Sequence, residues 1–323
     1  MENRVNQPPS AHTEHREIVS APASTVYNLV LDVSRWPLVF PPTVHVEYVE
    51  SGSTSEVIRI WATANDAVKG WTSRRELDRQ ARRIRFRQVV SAPPVASMGG
   101  EWIIEPTADG RSLVRLTHDF RAVGDDPSAM AWIHQAVDRN SRSELAAVRA
   151  AVESPAESDG RLLVFDDVVH VNGAPGDVYD FLNEAGHWDR RLPHVARVRL
   201  TEEDPGVQLL DMDTTTPDGS THSTRSVRVC FPHRRIVYKQ LRTPALMSVH
   251  TGQWSIEPHE DGAMVISTHR VVLDPQAIQG VLGPDATLGD ARTYVRAALG
   301  RNSTATMYAA KEFAEGRRLA TRS

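Results

Sequence analysis

The chain has 323 residues, of which 37 are Lys or Arg and 41 are Asp or Glu, giving a formal net charge of −4. This near balance creates no strong field and disfavours nucleic acid or a membrane as a partner. Hydrophobic residues make up 40% and charged residues 24%, as in folded globular proteins, and the length suits two domains. The single cysteine, Cys230, excludes an intrachain disulfide and fits a cytoplasmic location.

The elements of the first half follow a clear order. Residues 1–14 are polar and are expected to form a flexible leader. Apolar patterning then predicts a strand at 15–20, a helix at 23–31 and a further helical turn at 34–37. Strands are predicted at 44–50, 56–64, 69–78, 83–91, 98–106 and 112–121, and a long helix runs from Asp126-Pro127 to about 152.

The second half repeats the first. At an offset of 152 residues, Trp36 matches Trp188 and Trp102 matches Trp254, and many other positions match without gaps. The small polar segment 154–162 is typical of a linker, so the domains are predicted at 15–153 and 163–318. An insertion is expected near 274–290.

This order predicts an α+β fold in each copy. A curved antiparallel sheet around a long C-terminal helix leaves an interior cavity, which is a usual place for an apolar ligand.

Alternation along the strand at 69–78 places Trp71, Ser73 and Arg75 on one face. If that face lines the cavity, Arg75 can stabilise an enolate or alkoxide oxygen. The alternative is an ordinary arginine on a solvent-facing strand. A solvent-facing Arg75 would favour a carrier function.

Two further polar residues lie among apolar neighbours. His118 lies between Leu116 and Phe120 on one strand face, as a core residue or as a proton shuttle. Asn140 lies on the apolar stripe of the long helix, where it either braces the fold or binds a ligand oxygen.

Aromatic residues supply candidate pocket walls, although core packing accounts for many of them. Trp36 and Phe40 are one helical turn apart, and Tyr27, Trp61 and Trp102 supply further rings. The thirteen histidines show no metal-ligand spacing, and no nucleotide or phosphate motif occurs, so neither a metal nor a cofactor is predicted.

Four segments together resemble the aromatase/cyclases of bacterial type II polyketide synthases. They are Trp71–Leu77, Arg82–Gln88, Gly100–Trp102 and Arg139–Ser141. The likeness covers both halves and looks like the didomain members, which have tandem START-like (Bet v1-like) helix-grip domains. It implies a substrate bound to an acyl carrier protein, with the ketoreductase and ketosynthase of the pathway as further candidate partners.

The resemblance also implies a cofactor-free reaction. Carbon 12 of a poly-β-ketone reduced at carbon 9 attacks the carbonyl at carbon 7. Loss of water from carbons 7 and 9, with enolisation at carbon 11, completes an aromatic ring. A non-catalytic START-like carrier of a hydrophobic molecule and a scaffold for synthase subunits are the competing interpretations.

Carried over by position, the resemblance assigns catalytic roles to Arg75, Ser73, His118 and Asn140. Substrate contacts are expected from Trp36, Phe40, Trp71, Tyr27, Trp61 and Trp102. Thr43 stands where some relatives have a pocket tyrosine, so no tyrosine role is expected there.

The second copy departs more from the pattern. Its expected substrate contacts are Trp188, Thr224, Arg225, Trp254, His269 and Asn302, with the direction of Arg225 left open. The Trp–Ser–Arg face is clear only in the first copy. We therefore expect one principal site there, with the second pocket assisting a later dehydration or supporting the fold.

Overall fold

The structure is a computed structural model that describes residues 10–65, 67–215, 219 and 221–320. The chain divides into two compact units at residue 155. The first strand begins at Ala11, so residues 11–14 of the expected leader belong to the sheet, while residues 1–9 lie outside the described part.

The first unit is one antiparallel sheet of seven strands with a long C-terminal helix, in the sheet order β1-β7-β6-β5-β4-β3-β2. Its elements are β1 (Ala11–Val19), α1 (Ala23–Leu31), α2 (Trp36–Val39), β2 (Thr43–Glu50), β3 (Ser55–Ala64), β4 (Ala67–Asp78), β5 (Arg83–Val90), β6 (Val95–Pro106), β7 (Ser112–Ala122) and α3 (Pro127–Glu153). Consecutive strands pair except β1, which pairs with β7.

The second unit repeats this architecture with the sheet order β8-β14-β13-β12-β11-β10-β9. Its elements are β8 (Leu162–Val171), α4 (Pro175–Asn183), α5 (Trp188–Arg191), β9 (Val195–Asp204), β10 (Val207–Thr215), β11 (Thr221–Phe231), β12 (Arg235–Arg242), β13 (Met247–His259), β14 (Gly262–Leu273), α6 (Ile278–Leu282) and α7 (Leu288–Ala320). Helix α6 lies within the expected insertion. The predicted α+β class and tandem helix-grip architecture are confirmed.

Both long helices begin at polar caps. The Asp126 side chain accepts a hydrogen bond from the Ala129 backbone N–H at 2.7 Å, and Pro127 occupies the first turn of α3. At α7, the Asp290 carboxylate accepts from the Thr287 N–H at 2.9 Å, while the Thr287 hydroxyl accepts from the Asp290 N–H at 3.2 Å. These caps fix where each helix begins relative to its sheet.

Helix α3 packs its apolar stripe on the sheet without filling the space beneath it. Near its C-terminal end, Leu145 and Val148 join a core that includes Val26 and Val30 of α1. Closer to its start, Ile133 and Val137 face a cavity between helix and sheet. Among the described residues, no helix combines the length and apolar character needed to cross a bilayer.

Candidate active site

The first unit contains a mainly apolar cavity between the concave face of the sheet and α3. Its two adjoining parts share several wall residues, including Trp36, Trp71 and His118. The sequence-predicted residues that line it are Trp36, Phe40, Trp71, Ser73, Arg75, Trp102, His118 and Asn140. The structure therefore brings all four expected catalytic residues to one cavity.

Strand alternation puts Arg75 on the cavity side of β4, where it is 1% exposed. Its Nη1 donates to Glu56 Oε1 at 2.6 Å and to the Leu31 carbonyl at 3.2 Å, and its Nη2 donates to the Val30 carbonyl at 2.9 Å. These partners hold the guanidinium at the end of α1, with its carbon 5.1 Å from the centre of the Trp36 ring. Arg75 is thus a fixed cation in an apolar wall.

The Arg75–Glu56 pair is nearly inaccessible to solvent. Burial raises the pKa of Glu56, and the guanidinium acts against that rise. An arginine keeps its proton throughout the working pH range, so we describe the contact as an ion pair. Removing one partner alone would leave an uncompensated buried charge.

Glu144 on α3 is a cavity residue that sequence reasoning missed. Its carboxyl lines both parts of the cavity, and burial raises its pKa to about 8. It is therefore mostly protonated at neutral pH and can donate a proton. The available signal was its position one helical turn after Asn140, on the same stripe.

His118 and Asn140 also face the cavity. Burial, reinforced by His15, lowers the pKa of His118 to about 4, so its imidazole is neutral near pH 7. The Asn140 amide donates to the Thr63 carbonyl at 3.1 Å, which ties α3 to the end of β3. Asn140 thus braces the fold and lines the cavity at once.

Aromatic rings form one wall. The ring centroids of Trp36 and Phe40 are 5.3 Å apart, and Phe40 stacks on Trp102 with centroids 6.0 Å apart. The indole N–H of Trp36 donates to the Val30 carbonyl at 3.2 Å. Trp36 meets Phe40 edge to face, so this wall is an apolar aromatic corner suited to a conjugated ligand.

Two expected pocket residues do not line the cavity. Tyr27 lies in the core between α1 and the sheet, and its hydroxyl has no hydrogen-bond partner among the described residues. Trp61 lies on the opposite face of β3 from the cavity residue Ile60, with the Arg59 guanidinium carbon 4.7 Å from the ring centre. Alternation along β3 explains the position of Trp61.

The second unit has its own cavity between sheet and α7. The predicted residues that line it are Trp188, Thr224, Trp254, His269 and Asn302. Arg225 does not. Its side chain is 47% exposed and its Nε lies 3.1 Å from Asp211 Oδ1.

Arg228 is the arginine that lines the second cavity, and it was not predicted. It is 2% exposed, donates to Gln208 Oε1 at 2.8 Å and to the Leu182 carbonyl, and lies 5.3 Å from the Trp188 ring centre. Thr224, Ser226 and Arg228 share one face, so the second cavity has an arginine in its wall as well, although a different one from the expected Arg225. One sequence feature could have identified Arg228. The turn after β11 is one residue shorter than the turn after β4, which shifts the alignment of the two copies by one residue along β11.

The second cavity is more polar around its histidine. His269 Nδ1 lies 3.0 Å from His250 Nε2 and 3.2 Å from the Tyr238 hydroxyl, and its Nε2 lies 3.1 Å from the Ser267 hydroxyl. Burial lowers the pKa of His269 to about 4 and that of His250 further below its usual range. Both imidazoles are therefore neutral near pH 7.

Neither cavity presents a metal site. Throughout the described ranges, no group of three or more His, Cys, Asp or Glu side chains is placed to hold a metal ion.

Comparison with known proteins supplies the family. The family model described as "Polyketide cyclase / dehydrase and lipid transport" matches residues 10–153 and again 163–309. The granaticin polyketide synthase bifunctional cyclase/dehydratase of Streptomyces violaceoruber is 46% identical over 309 residues, 95% of both chains. The corresponding actinorhodin protein of Streptomyces coelicolor is 45% identical over 308 residues, 91% of this chain and 95% of the relative.

Solved structures of similar proteins include two that match most of the chain. The di-domain ARO/CYC BexL from the BE-7585A biosynthetic pathway has a TM-score of 0.83 and 53% identity, covering 94% of this chain and 99% of that one. The di-domain ARO/CYC StfQ from the steffimycin pathway also has a TM-score of 0.83, with 37% identity, covering 95% of this chain and 99% of that one. This chain therefore belongs to the polyketide cyclase/dehydrase and lipid transport family.

Proposed function

We propose that the protein is a cyclase/dehydratase of a type II polyketide synthase that closes and aromatises the first ring of a poly-β-ketone. The substrate is a chain reduced at carbon 9 and held on an acyl carrier protein in the cytoplasm. The observation that carries the proposal is Arg75, a buried cation in an aromatic-walled cavity that also contains the protonated carboxyl of Glu144. A carrier of neutral lipids has no need of these groups.

The first step forms the bond between carbons 12 and 7. The methylene at carbon 12 lies between two carbonyls and is already acidic, and neutral His118 is the available base for its proton. As carbon 12 attacks, negative charge develops on the carbonyl oxygen of carbon 7. Arg75 stabilises that oxygen, and Glu144 donates the proton that makes it a hydroxyl.

The later steps remove two waters. One leaves with the hydroxyl of carbon 7 and the other with the hydroxyl of carbon 9, each together with a proton from a neighbouring carbon. Enolisation of the carbonyl at carbon 11 then gives the aromatic ring. The aromatic wall has the further task of holding one fold of a flexible chain, which by itself can lower a barrier substantially.

Reconstitution tests the proposal. The minimal synthase, its ketoreductase and acyl carrier protein are combined with the wild type or with Glu56→Gln/Arg75→Met, which removes both charges of the buried pair. Arg74→Met is the matched control, because Arg74 is the neighbouring residue on the exposed face of β4. We expect the first-ring product with the wild type and the control only, while equal product from all three would refute the role of Arg75.

A further inference from the structure

The two cavities differ in the charge beside their arginine. Glu56 and Gln208 occupy equivalent positions, each directly opposite the cavity arginine on the adjacent strand. In the first unit the partner is a carboxylate 2.6 Å from Arg75, and in the second it is a neutral amide 2.8 Å from Arg228. The arginine of the first cavity therefore has a carboxylate as its direct partner, and the arginine of the second has a neutral amide.

The nearest carboxylate in the second unit lies beyond that amide. Gln208 Nε2 donates to Glu202 Oε2 at 2.8 Å, and Glu202 is exposed. An exposed charge is screened by water, whereas a buried one is screened much less. Among the described residues, no carboxylate lies within 4 Å of the Arg228 guanidinium, so its charge is not offset inside the cavity.

The second unit also has more polar side chains around its cavity histidine than the first. Around the histidine of the first cavity the equivalent positions hold Phe86, Met98 and Leu116. The second unit instead has the polar cluster of Tyr238, His250, Ser267 and His269 described above, of which Tyr238, His250 and His269 line the cavity. These three replacements change the chemistry of the cavity without changing its place in the fold.

This polar cluster leaves a proton free for a ligand. His269 Nδ1 carries either one lone pair or one proton, so it cannot serve fully both the Tyr238 hydroxyl and His250 Nε2. When His250 donates to it, the Tyr238 hydroxyl is free to donate to a ligand in the cavity. Tyr238 itself stays protonated, because burial raises its pKa.

We infer that the second cavity binds a conjugated or aromatic ligand through an ionised oxygen, and that Gln208 in place of a carboxylate sets this preference. Arg228 supplies the charge, Trp188 and Trp254 supply flat apolar walls, and the free donor of the polar cluster supplies a second contact. Enolates, phenolates and carboxylates share this chemistry. The identity of the natural ligand rests on the proposed function. Under that function, the enolised or phenolic ring that leaves the first cavity is such an anion.

Binding of 2-naphthoate, with 2-naphthamide as its neutral isostere, tests the inference by calorimetry without any ring-forming assay. We expect the wild type to bind 2-naphthoate at one site per chain and more tightly than the amide. Glu202→Gln/Gln208→Glu reproduces the arrangement of the first unit, and we expect it to weaken 2-naphthoate binding by about tenfold or more and to leave the amide unchanged. The reciprocal Glu56→Gln is expected to add a second 2-naphthoate site.

Three results would overturn the inference: equal affinity for the two probes, no 2-naphthoate binding, or no effect of the Gln208 variant. Arg228→Met serves as a second variant that removes the charge without adding one, and it should abolish the preference for the anion. If ring formation fails in reconstitution while 2-naphthoate discrimination holds, the proposed function fails and this inference stands. If the ring product forms but 2-naphthoate binds no more tightly than 2-naphthamide, this inference fails and the proposed function stands.

Discussion

Glu144→Gln is predicted to stabilise the protein increasingly as pH rises. In the folded wild type the pKa of Glu144 is raised from 4.5 to about 8 by burial. Above pH 4.5 the unfolded chain gains stability by ionising this carboxyl, and the folded chain cannot do so until pH 8. The wild type therefore loses stability between these values, and glutamine removes the loss.

The size of the effect follows from the pKa difference. Between pH 4.5 and pH 7, a span of about 2.5 pH units, the carboxyl is ionised in the unfolded chain and protonated in the folded one. This difference lowers the free energy of unfolding by roughly 3 kcal/mol at pH 7. Because the Glu144 side chain is only partly buried, solvent screens its charge and we expect about 2 kcal/mol instead. The gain should be small at pH 5 and largest at pH 9.

Urea unfolding of both proteins at pH 5, 7 and 9 measures this difference, and other titrating groups cancel between the two. Glu76→Gln, on the exposed face of β4, is the matched control, and we expect the gain from Glu144→Gln to exceed that of the control at pH 7 and 9. The same substitution removes the proposed acid, so ring formation should slow while stability rises. A stability difference that is flat with pH would refute the assignment of Glu144 as a partly buried carboxyl that keeps its proton at pH 7.

The remaining predictions concern the buried pair, acid stability and the thiol. Arg75→Met alone should destabilise the protein by about 3–5 kcal/mol in urea unfolding, and adding Glu56→Gln should recover most of that loss, whereas equal stability of the single and double variants would contradict a buried pair. Because the pKa of His118 is lowered from 6.5 to about 4, stability should fall as pH drops from 6.5 toward 4, and His118→Gln should flatten this slope. Burial raises the pKa of Cys230 to about 11, so iodoacetamide at pH 8 should label it only after unfolding, and labelling of the native protein would contradict its burial.

The fold was predictable because its signals are local and occur twice. Turn residues and apolar alternation placed the strands of the first unit within a few residues, and the matched tryptophans established the duplication. Arg75 was predictable for the same reason, since alternation links it to Trp71 and Ser73. The presence of Trp71 on that face of β4 then indicates that the face lines the cavity.

The sequence-based assignments fail mainly where a shift of one residue decides which face of a strand a side chain occupies. In the second copy the turn after β11 is one residue shorter than the turn after β4, so the residue equivalent to Arg75 is Arg228 and not the residue 152 positions after Arg75. A shift of one residue along a strand moves a side chain from the cavity face to the outer face. Trp61 was assigned by residue type, although alternation places it opposite Ile60. Glu144 was missed because a glutamate on an apolar stripe is usually taken for a surface residue, and its burial depends on tertiary packing.

Product analysis of the reconstituted synthase decides whether the buried Arg75 directs closure of the first ring. The minimal synthase with ketoreductase and acyl carrier protein is run without this protein, with the wild type, and with Glu56→Gln/Arg75→Met. We expect a single product closed between carbons 7 and 12 with the wild type, and the spontaneously cyclised mixture in the other two reactions. The same mixture in all three reactions, or the same single product with the variant, would contradict it.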